Sequence, residues 1–413
     1  MTENYPKALE WLFSQVPNYQ KEGKKAYKPG LGNIKKLCAF FGNPQNSLKT
    51  IHIGGTNGKG STSHMLSSIL QEAGYNTGLY SSPHLVKFTE RIKVNGKNCD
   101  STFVYRFISE LKEPMPQINP SFFEFTTLMA FEYFKQKKTD IAVIEVGLGG
   151  RLDATNMLSP IVSAITNVDW DHTDLLGNTL KDITREKAGI IKEKTPVISG
   201  EERKELKDIL KKIACEKKAP FVDASEIISP KIKLDLEGNY QEKNVKVVLA
   251  IVKALQKKGF MITPYNVEKG LENTVKNTGF LGRWQIFSTA PLVIGDTAHN
   301  VAGFRSVCNQ LNTYEKEKHL VLGFVKEKDL VGILKILPKT AQYYFVRPNI
   351  ERGRKPETYE EEIKSLGIPH YHLYESLAEG YNEAKRKAGK TGLIFIGGSS
   401  FVVGEFLEKN LSK

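Results

Sequence analysis

The stretch Ile53-Gly-Gly-Thr-Asn-Gly-Lys-Gly-Ser-Thr62 has the residue types of a phosphate site. Glycines let the backbone curl so that successive N–H groups point at one anion. A helix starting behind the loop adds the partial positive charge of its N-terminus, and Lys59 supplies a full one. The usual phosphate loop has four residues between its glycines and a Ser or Thr directly after the lysine. Here Gly60 follows Lys59, and the hydroxyls come at Ser61 and Thr62. The alternative is a plain glycine-rich turn. The order strand, loop, lysine, amphipathic helix favours a nucleotide site.

Such a loop needs a carboxylate at the end of a neighbouring strand to hold Mg²⁺, directly or through water. Glu145 sits near the C-terminal end of the run Ile141–Val146, among apolar neighbours where a carboxylate is costly unless it is ion-paired or metal-bound, and both readings stand. Val168-Asp-Trp-Asp-His172 closes the next apolar run and offers further metal-competent side chains, His172 among them.

The elements that must position these groups alternate apolar runs with amphipathic stretches. Strands are expected at 51–53, 77–82, 141–146, 160–168 and 195–199, with helices at 61–73, 122–135 and 179–191. A second series begins near Pro291, with strands at 292–295, 319–322, 343–346 and 393–396 and helices at 302–311, 328–337, 358–366 and 377–388. Continuous β-branched runs between helices predict an α/β chain with parallel sheets covered on both faces. A boundary near residues 285–290 gives a large first domain and a smaller second one.

The 413 residues carry 59 Lys plus Arg against 46 Asp plus Glu, a formal +13. That excess suits an anionic partner, whether nucleic acid, lipid or a phosphorylated small molecule, and equally a solvated Lys-rich surface. Cys38, Cys99, Cys215 and Cys308 lie far apart with no CxxC pair, so neither a zinc site nor a disulfide framework is expected and a reducing compartment is. Met1-Thr-Glu-Asn-Tyr-Pro lacks the pattern of a signal peptide, and no apolar run reaches the 18 residues of a membrane span. A cytoplasmic protein is expected.

Gly55-Thr-Asn-Gly-Lys-Gly-Ser61, taken with Ser81-Ser-Pro-His-Leu85, Glu145-Val-Gly-Leu-Gly-Gly-Arg-Leu-Asp153, Asp171-His172, Arg185-Glu-Lys-Ala-Gly-Ile190, Gly282-Arg283, Asp296-Thr-Ala-His-Asn300 and Gly397-Gly-Ser399, resembles one family. It is the folylpolyglutamate synthase/dihydrofolate synthase family of the Mur ligase superfamily, and the matches run in order from about residue 30 to residue 400. The resemblance implies a P-loop, parallel-sheet ATPase domain at 1–286 and a smaller Rossmann-like α/β ligase domain at 287–413. It gives Thr56, Asn57, Gly58, Lys59, Gly60 and Ser61 to ATP, with Asn244, Arg283 and Asp296 completing that site. Its magnesium ligands fall on Ser82, Glu145 and His172, and its carboxylated lysine, supporting a second Mg²⁺, on Lys187. The pterin side falls on Gly30, Leu31, Ser121 and Asp153. The chain departs from the family pattern at Gly-Asn-Tyr-Gln-Glu-Lys-Asn-Val, where the family has GxHQxxNA, and at Ser121, where threonine is frequent. Taken alone, Lys187 reads as an ordinary helix-surface lysine.

The implied activity is ATP-dependent addition of L-glutamate to reduced folates and to dihydropteroate through an acyl phosphate, with Lys59 offsetting phosphate charge and His299 orienting the acyl phosphate. A small-molecule enzyme of this kind needs no nucleic acid and no membrane, and a monomer is expected. The competing readings are another Mur-type amide ligase, a nucleotide-dependent binding module and a nucleic-acid-stimulated ATPase. The last is disfavoured because aromatics do not interleave with basic clusters.

Overall fold

The computed structural model describes residues 4–16, 23, 28–112 and 115–411. The chain forms two compact bodies: Met1–His84, Phe88–Asp235 and Gln241–Gly279 make the first, and Leu85–Lys87, Leu236–Tyr240 and Phe280–Lys413 the second.

The sheet of the first body runs β4-β3-β2-β5-β1-β6-β7-β8. Its strands are β1 (Thr50–Gly54), β2 (Thr77–Tyr80), β3 (Ile92–Val94), β4 (Lys97–Asn98), β5 (Ile141–Glu145), β6 (Val162–Ile165), β7 (Val197–Ser199) and β8 (Phe221–Asp223). β2, β5, β1, β6, β7 and β8 are mutually parallel. β1 is buried at every residue, as a strand covered by helices on both faces must be. Gly78 of β2 is a packing requirement, because a Cβ there would meet the Phe134 ring at 2.8 Å and Ala142 Cβ at 3.1 Å. After β1 the chain crosses to β2 on one side and later returns to β6 on the other. That places a topological switch point beside β1, and parallel sheets bind ligands beyond the strand ends at such points.

The expected all-parallel sheet carries an antiparallel edge, β3–β4. Its turn is Asn95-Gly96, with φ of +49° and +72°. Asn-Gly is a strong hairpin signal, and the hairpin it marks lies outside the expected strands.

The second body has the order β13-β12-β11-β14-β10-β9. Its strands are β9 (Gln285–Thr289), β10 (Leu292–Gly295), β11 (Lys318–Leu322), β12 (Gln342–Val346), β13 (Tyr371–Tyr374) and β14 (Leu393–Gly397). All pair in parallel except β9, which runs antiparallel to β10. β9 spans residues 286 and 287 and lies wholly within the Phe280–Lys413 part of this body. Trp284, Phe304, Phe324, Phe345 and Phe395 form its core.

Candidate active site

The phosphate loop joins β1 to the helix Lys59–Glu72. Gly55 and Gly58 take φ of +141° and +84°. A Cβ at Gly55 would lie 1.9 Å from Thr166 Oγ1, and one at Gly58 would lie 2.2 Å from Asn244 Oδ1. Only glycine fits either place. Thr166 and Asn167, directly after β6, grip the loop. Thr56 N donates to Asn167 O at 3.0 Å, Asn57 N to Asn167 Oδ1 at 2.9 Å, and Thr166 Oγ1 to Asn57 O at 2.6 Å. These two N–H groups are therefore bonded within the protein, which narrows the expectation that every loop N–H faces one anion.

Two lysine amines converge on one carbonyl. Lys59 Nζ donates to Gly55 O and Thr56 O, both at 3.1 Å, and Lys187 Nζ to Gly55 O at 2.9 Å. Lys187, near the end of the helix Leu180–Ala188, is 4% exposed. Burial, and next the charge of Lys59, bring its amine down to about 7, while Asp171 opposes the shift. The surface-lysine reading is thus replaced by a buried amine, a property the helix pattern did not reveal. Just inside the phosphate-loop helix, the hydroxyls of Ser61, Thr62 and Ser63 are buried with no hydrogen-bond partner. Buried hydroxyls normally find partners. Consecutive helical side chains point about 100° apart, so only part of this set can face one anion, and an orphaned hydroxyl there fits a polyphosphate with its metal.

Glu145, at the end of β5, is 4% exposed and accepts from Ser82 N at 3.1 Å, which brings two expected metal ligands together. Its charge acts on Arg91, a buried guanidinium lowered from its ordinary value by burial and held up in part by Tyr80, Glu90 and Glu145. Arg91 donates Nε to His84 Nδ1 at 2.8 Å and lies 5.1 Å from the Phe122 ring centroid. The sequence reading missed it, since an arginine in a charged turn gives no signal of burial. His172 takes φ of +48°, and its Nε2 lies 3.8 Å from Asp171 Oδ2. Among the described residues no three His, Cys, Asp or Glu side chains form a preformed metal cage. The donor set still fits Mg²⁺, which keeps several waters and is usually held by one or two carboxylates plus substrate phosphates.

On the expected pterin side, Gly30 has φ of +117° and Leu31 precedes the helix Gly32–Phe40. Lys28 Nζ donates to Asn119 O at 2.8 Å and to Asn119 Oδ1 at 2.7 Å, and Asn33 Nδ2 to Asn119 O at 3.2 Å, so the Gly30 loop is tied two residues before Ser121. Ser121 caps the helix Phe122–Gln136 in a reciprocal box with Glu124, which accounts for serine here without a ligand. Asp153 is buried and accepts from Leu148 N at 2.8 Å, Thr155 N at 3.0 Å and Thr155 Oγ1 at 2.5 Å. Burial raises its pKa.

Asn244, in the first body, donates Nδ2 to Gln241 Oε1 at 2.7 Å beside Gly58. In the second body Asp296 is 3% exposed. It accepts from Tyr240 Oη at 2.6 Å, Trp284 N at 2.9 Å and Ala298 N at 2.8 Å. Arg283 Nη1 donates to Gly282 O at 3.1 Å, and His299 Nδ1 lies 3.0 Å from Thr297 O.

Residues 53–263 match the family described as Mur ligase middle domain, and residues 282–400 the Mur ligase glutamate ligase domain. The dihydrofolate synthase/folylpolyglutamate synthase of Buchnera aphidicola (subsp. Schizaphis graminum) is 32% identical over 96% of this chain and 97% of its own. The chain belongs to the Mur ligases, in their folylpolyglutamate synthase/dihydrofolate synthase branch. It is an ATP-dependent ligase. This ligase is also 28% identical, over 97% of its length, to a probable bifunctional folylpolyglutamate synthase/dihydropteroate synthase of Haloferax volcanii, and spans half of that protein. The structure of Escherichia coli FolC in complex with DHPP and ADP matches the ligase over 98% of both chains, with a TM-score of 0.85 and 29% identity. A bifunctional folylpolyglutamate synthase/dihydrofolate synthase with Mn, AMPPNP and L-glutamate bound matches over 97% of both, with a TM-score of 0.84 and 27% identity. No helix among the described residues is long and apolar enough to cross a membrane.

Proposed function

We propose that the ligase adds L-glutamate to reduced folates, and to dihydropteroate, at the expense of ATP. The observation that carries this reading is the convergence of Lys59 and Lys187 on Gly55 O in the phosphate loop. The relatives' ligands, ADP with DHPP and AMPPNP with L-glutamate, support it.

A carboxylate resists nucleophiles because its charge and resonance repel them. Its oxygen attacks the γ-phosphorus of ATP, ADP leaves, and the acyl phosphate has a usable leaving group. The glutamate α-amine then attacks the acyl carbon, the tetrahedral intermediate expels phosphate, and the amine proton is lost to solvent. Lys59 neutralises charge where two anions meet. Thr56, Asn57, Gly58, Gly60, Ser61 and Asn244 hold the phosphates, with Arg283 and Asp296 on the nucleotide side and His299 orienting the acyl phosphate. Ser82, Glu145 and His172 would hold one Mg²⁺, and a carboxylated Lys187 a second; bound Mg²⁺ supplies charge neutralisation at the phosphate oxygens. The neutral amine of Lys187 adds to CO₂ and releases a proton. Gly30, Leu31, Ser121 and Asp153 form the pterin side. The large N-terminal part binds ATP and the C-terminal part completes the ligase, which acts as a cytoplasmic monomer without nucleic acid.

Phosphate release tests this. It is expected only when ATP and glutamate are supplied with dihydropteroate or a reduced folate. Release that needs neither acceptor nor glutamate overturns the reading.

A further inference from the structure

We propose that Tyr240 is a positioning residue of the nucleotide site, acting through Asp296 on the turn that carries Arg283. The proposal rests on the reading of Asp296 and Arg283 as ATP-site residues.

Tyr240 lies in the segment where the chain departs from the family's GxHQxxNA pattern, in the place of the histidine. Its hydroxyl donates to Asp296 Oδ2 at 2.6 Å, the short distance of an O–H to an ionised carboxylate. Burial first, and the neighbouring Asp296 charge second, raise the phenol well above its ordinary value, so it stays a donor across the working pH range. The ring is seated over Gly238, where φ is +116° and a Cβ would come within 2.9 Å of the ring. Next to it, Asn239 N donates to Gln310 Oε1 at 2.9 Å, and Gln310 is buried. Leu236–Tyr240 is thereby fastened to the second body, although the chain on either side of it belongs to the first.

The carboxylate has two tasks. Oδ1 takes Ala298 N, while Oδ2 takes both Tyr240 Oη and Trp284 N at 2.9 Å. Trp284 has φ of +43°, a backbone state that a bulky residue holds only when its surroundings impose it. The bond from its N–H to Asp296 is one such constraint, and Arg283 is the preceding residue. Removing the Tyr240 hydroxyl takes away the carboxylate's shortest bond and leaves it held by Ala298 N and Trp284 N alone, which loosens its grip on the 283–284 turn. The phosphate loop and both lysines lie in the first body and are untouched.

The test is a double-mutant cycle in the full chain, with Tyr240→Phe, Asp296→Asn and both together. KM for ATP, KM for glutamate, kcat and Tm are measured for each. Tyr240→Phe is expected to raise KM for ATP about tenfold, the effect of one charge-assisted hydrogen bond, with KM for glutamate unchanged. The double variant is expected to be no worse than Asp296→Asn, because the two residues act in series. An unchanged KM for ATP in Tyr240→Phe, while Asp296→Asn is impaired, overturns the proposal alone. So do additive effects, or a parallel rise of both KM values that tracks a fall in Tm, since those mark a merely structural residue. An unchanged KM for ATP in Asp296→Asn overturns the ATP-site reading of the second body, and the proposal with it.

Discussion

The two bodies treat charge in opposite ways. In the first, two lysines point at one carbonyl oxygen and three hydroxyls are buried without partners. In the second, one carboxylate is saturated by three donors from three separate segments. A buried lysine amine next to a second lysine, with orphaned donors, is a local free-energy cost that an anionic ligand relieves. A carboxylate already holding three donors fixes backbone, and acts on a ligand through the residues it positions. The comparison teaches that the first region is built to receive phosphate and the second to fix its own backbone. Substitutions in the first are therefore expected to cost activity without stability, and those in the second to cost both.

The largest expected effect is at Lys59. Lys59→Ala is expected to lower ligation by about 10³-fold or more, as loss of a preorganised charge at a transferring phosphoryl group does. Tm is expected to stay close to that of the parent, since Gly55 O keeps its bond from Lys187. Thermal unfolding beside a phosphate-release assay checks both. An unfolded variant, or one that ligates normally, removes the contrast between the bodies.

Lys187 comes next. Lys187→Ala is expected to cost about 10²-fold in activity, the scale of lost metal support. A short carboxylic acid in solution is expected to restore part of it by presenting an oxygen in the vacated volume. Lys187→Arg is not expected to substitute, because guanidinium stays protonated and forms no carbamate. With the amine near 7, the neutral, CO₂-reactive form dominates above that pH and declines below it. A ¹³C-bicarbonate carbamate signal in NMR is therefore expected at pH 8 and should weaken by pH 6. A fully active Lys187→Arg enzyme sinks the carbamate and leaves the ligase reading intact.

What could be read from the sequence follows the same division. The phosphate loop is contiguous, so glycines, lysine and hydroxyls show themselves in one stretch, and β1 and its neighbours are marked by apolar β-branched runs. The hub on Asp296 draws on Tyr240, Trp284 and Ala298, and nothing local relates those positions. Burial of Lys187 and Arg91 was equally hidden, because long side chains carry the same letter whether solvated or enclosed. Ser121 illustrates the converse. Ser121-Phe-Phe-Glu124 spells a capping box, and the structure forms it, yet the resemblance drew attention to the pterin instead.

Glu145→Gln keeps size but removes the charge beside Ser82 N, so about a tenfold loss of activity and a raised Mg²⁺ requirement are expected. An unchanged Mg²⁺ titration assigns Glu145 to structural pairing with Arg91. Asp296→Asn gives the opposite signature. Its amide NH₂ faces donors wherever it turns, so a stability loss of about 2 kcal/mol is expected with the drop in activity, read from urea unfolding. A variant as stable as the parent breaks the claim that this region holds shape.

An effect seen only in acid, and absent at pH 7, concerns the strand under the phosphate loop. His52, in β1, is fully buried, and its Nε2 lies 2.8 Å from Thr155 Oγ1. That hydroxyl gives its hydrogen to Asp153 Oδ1, so the imidazole must donate from Nε2 and keep Nδ1 unprotonated. Nδ1 is buried with no partner, and a proton there would place a charge in the core. Burial first, and Lys192 second, lower the pKa from 6.5 to about 3. The folded state therefore refuses a proton that the unfolded chain accepts below 6.5. The stabilisation is complete above that pH and is lost as pH falls toward 3. By pH 5 the loss from this one residue is about 2 kcal/mol. His84 is lowered in the same direction and contributes alongside it. In His52→Gln that share of the acid sensitivity is absent, so the unfolding free energy is expected to fall less steeply between pH 7 and pH 5 than in the parent, whatever the substitution costs at pH 7. Parallel slopes for the two proteins would show that His52 is charged in the fold and that the tautomer argument fails.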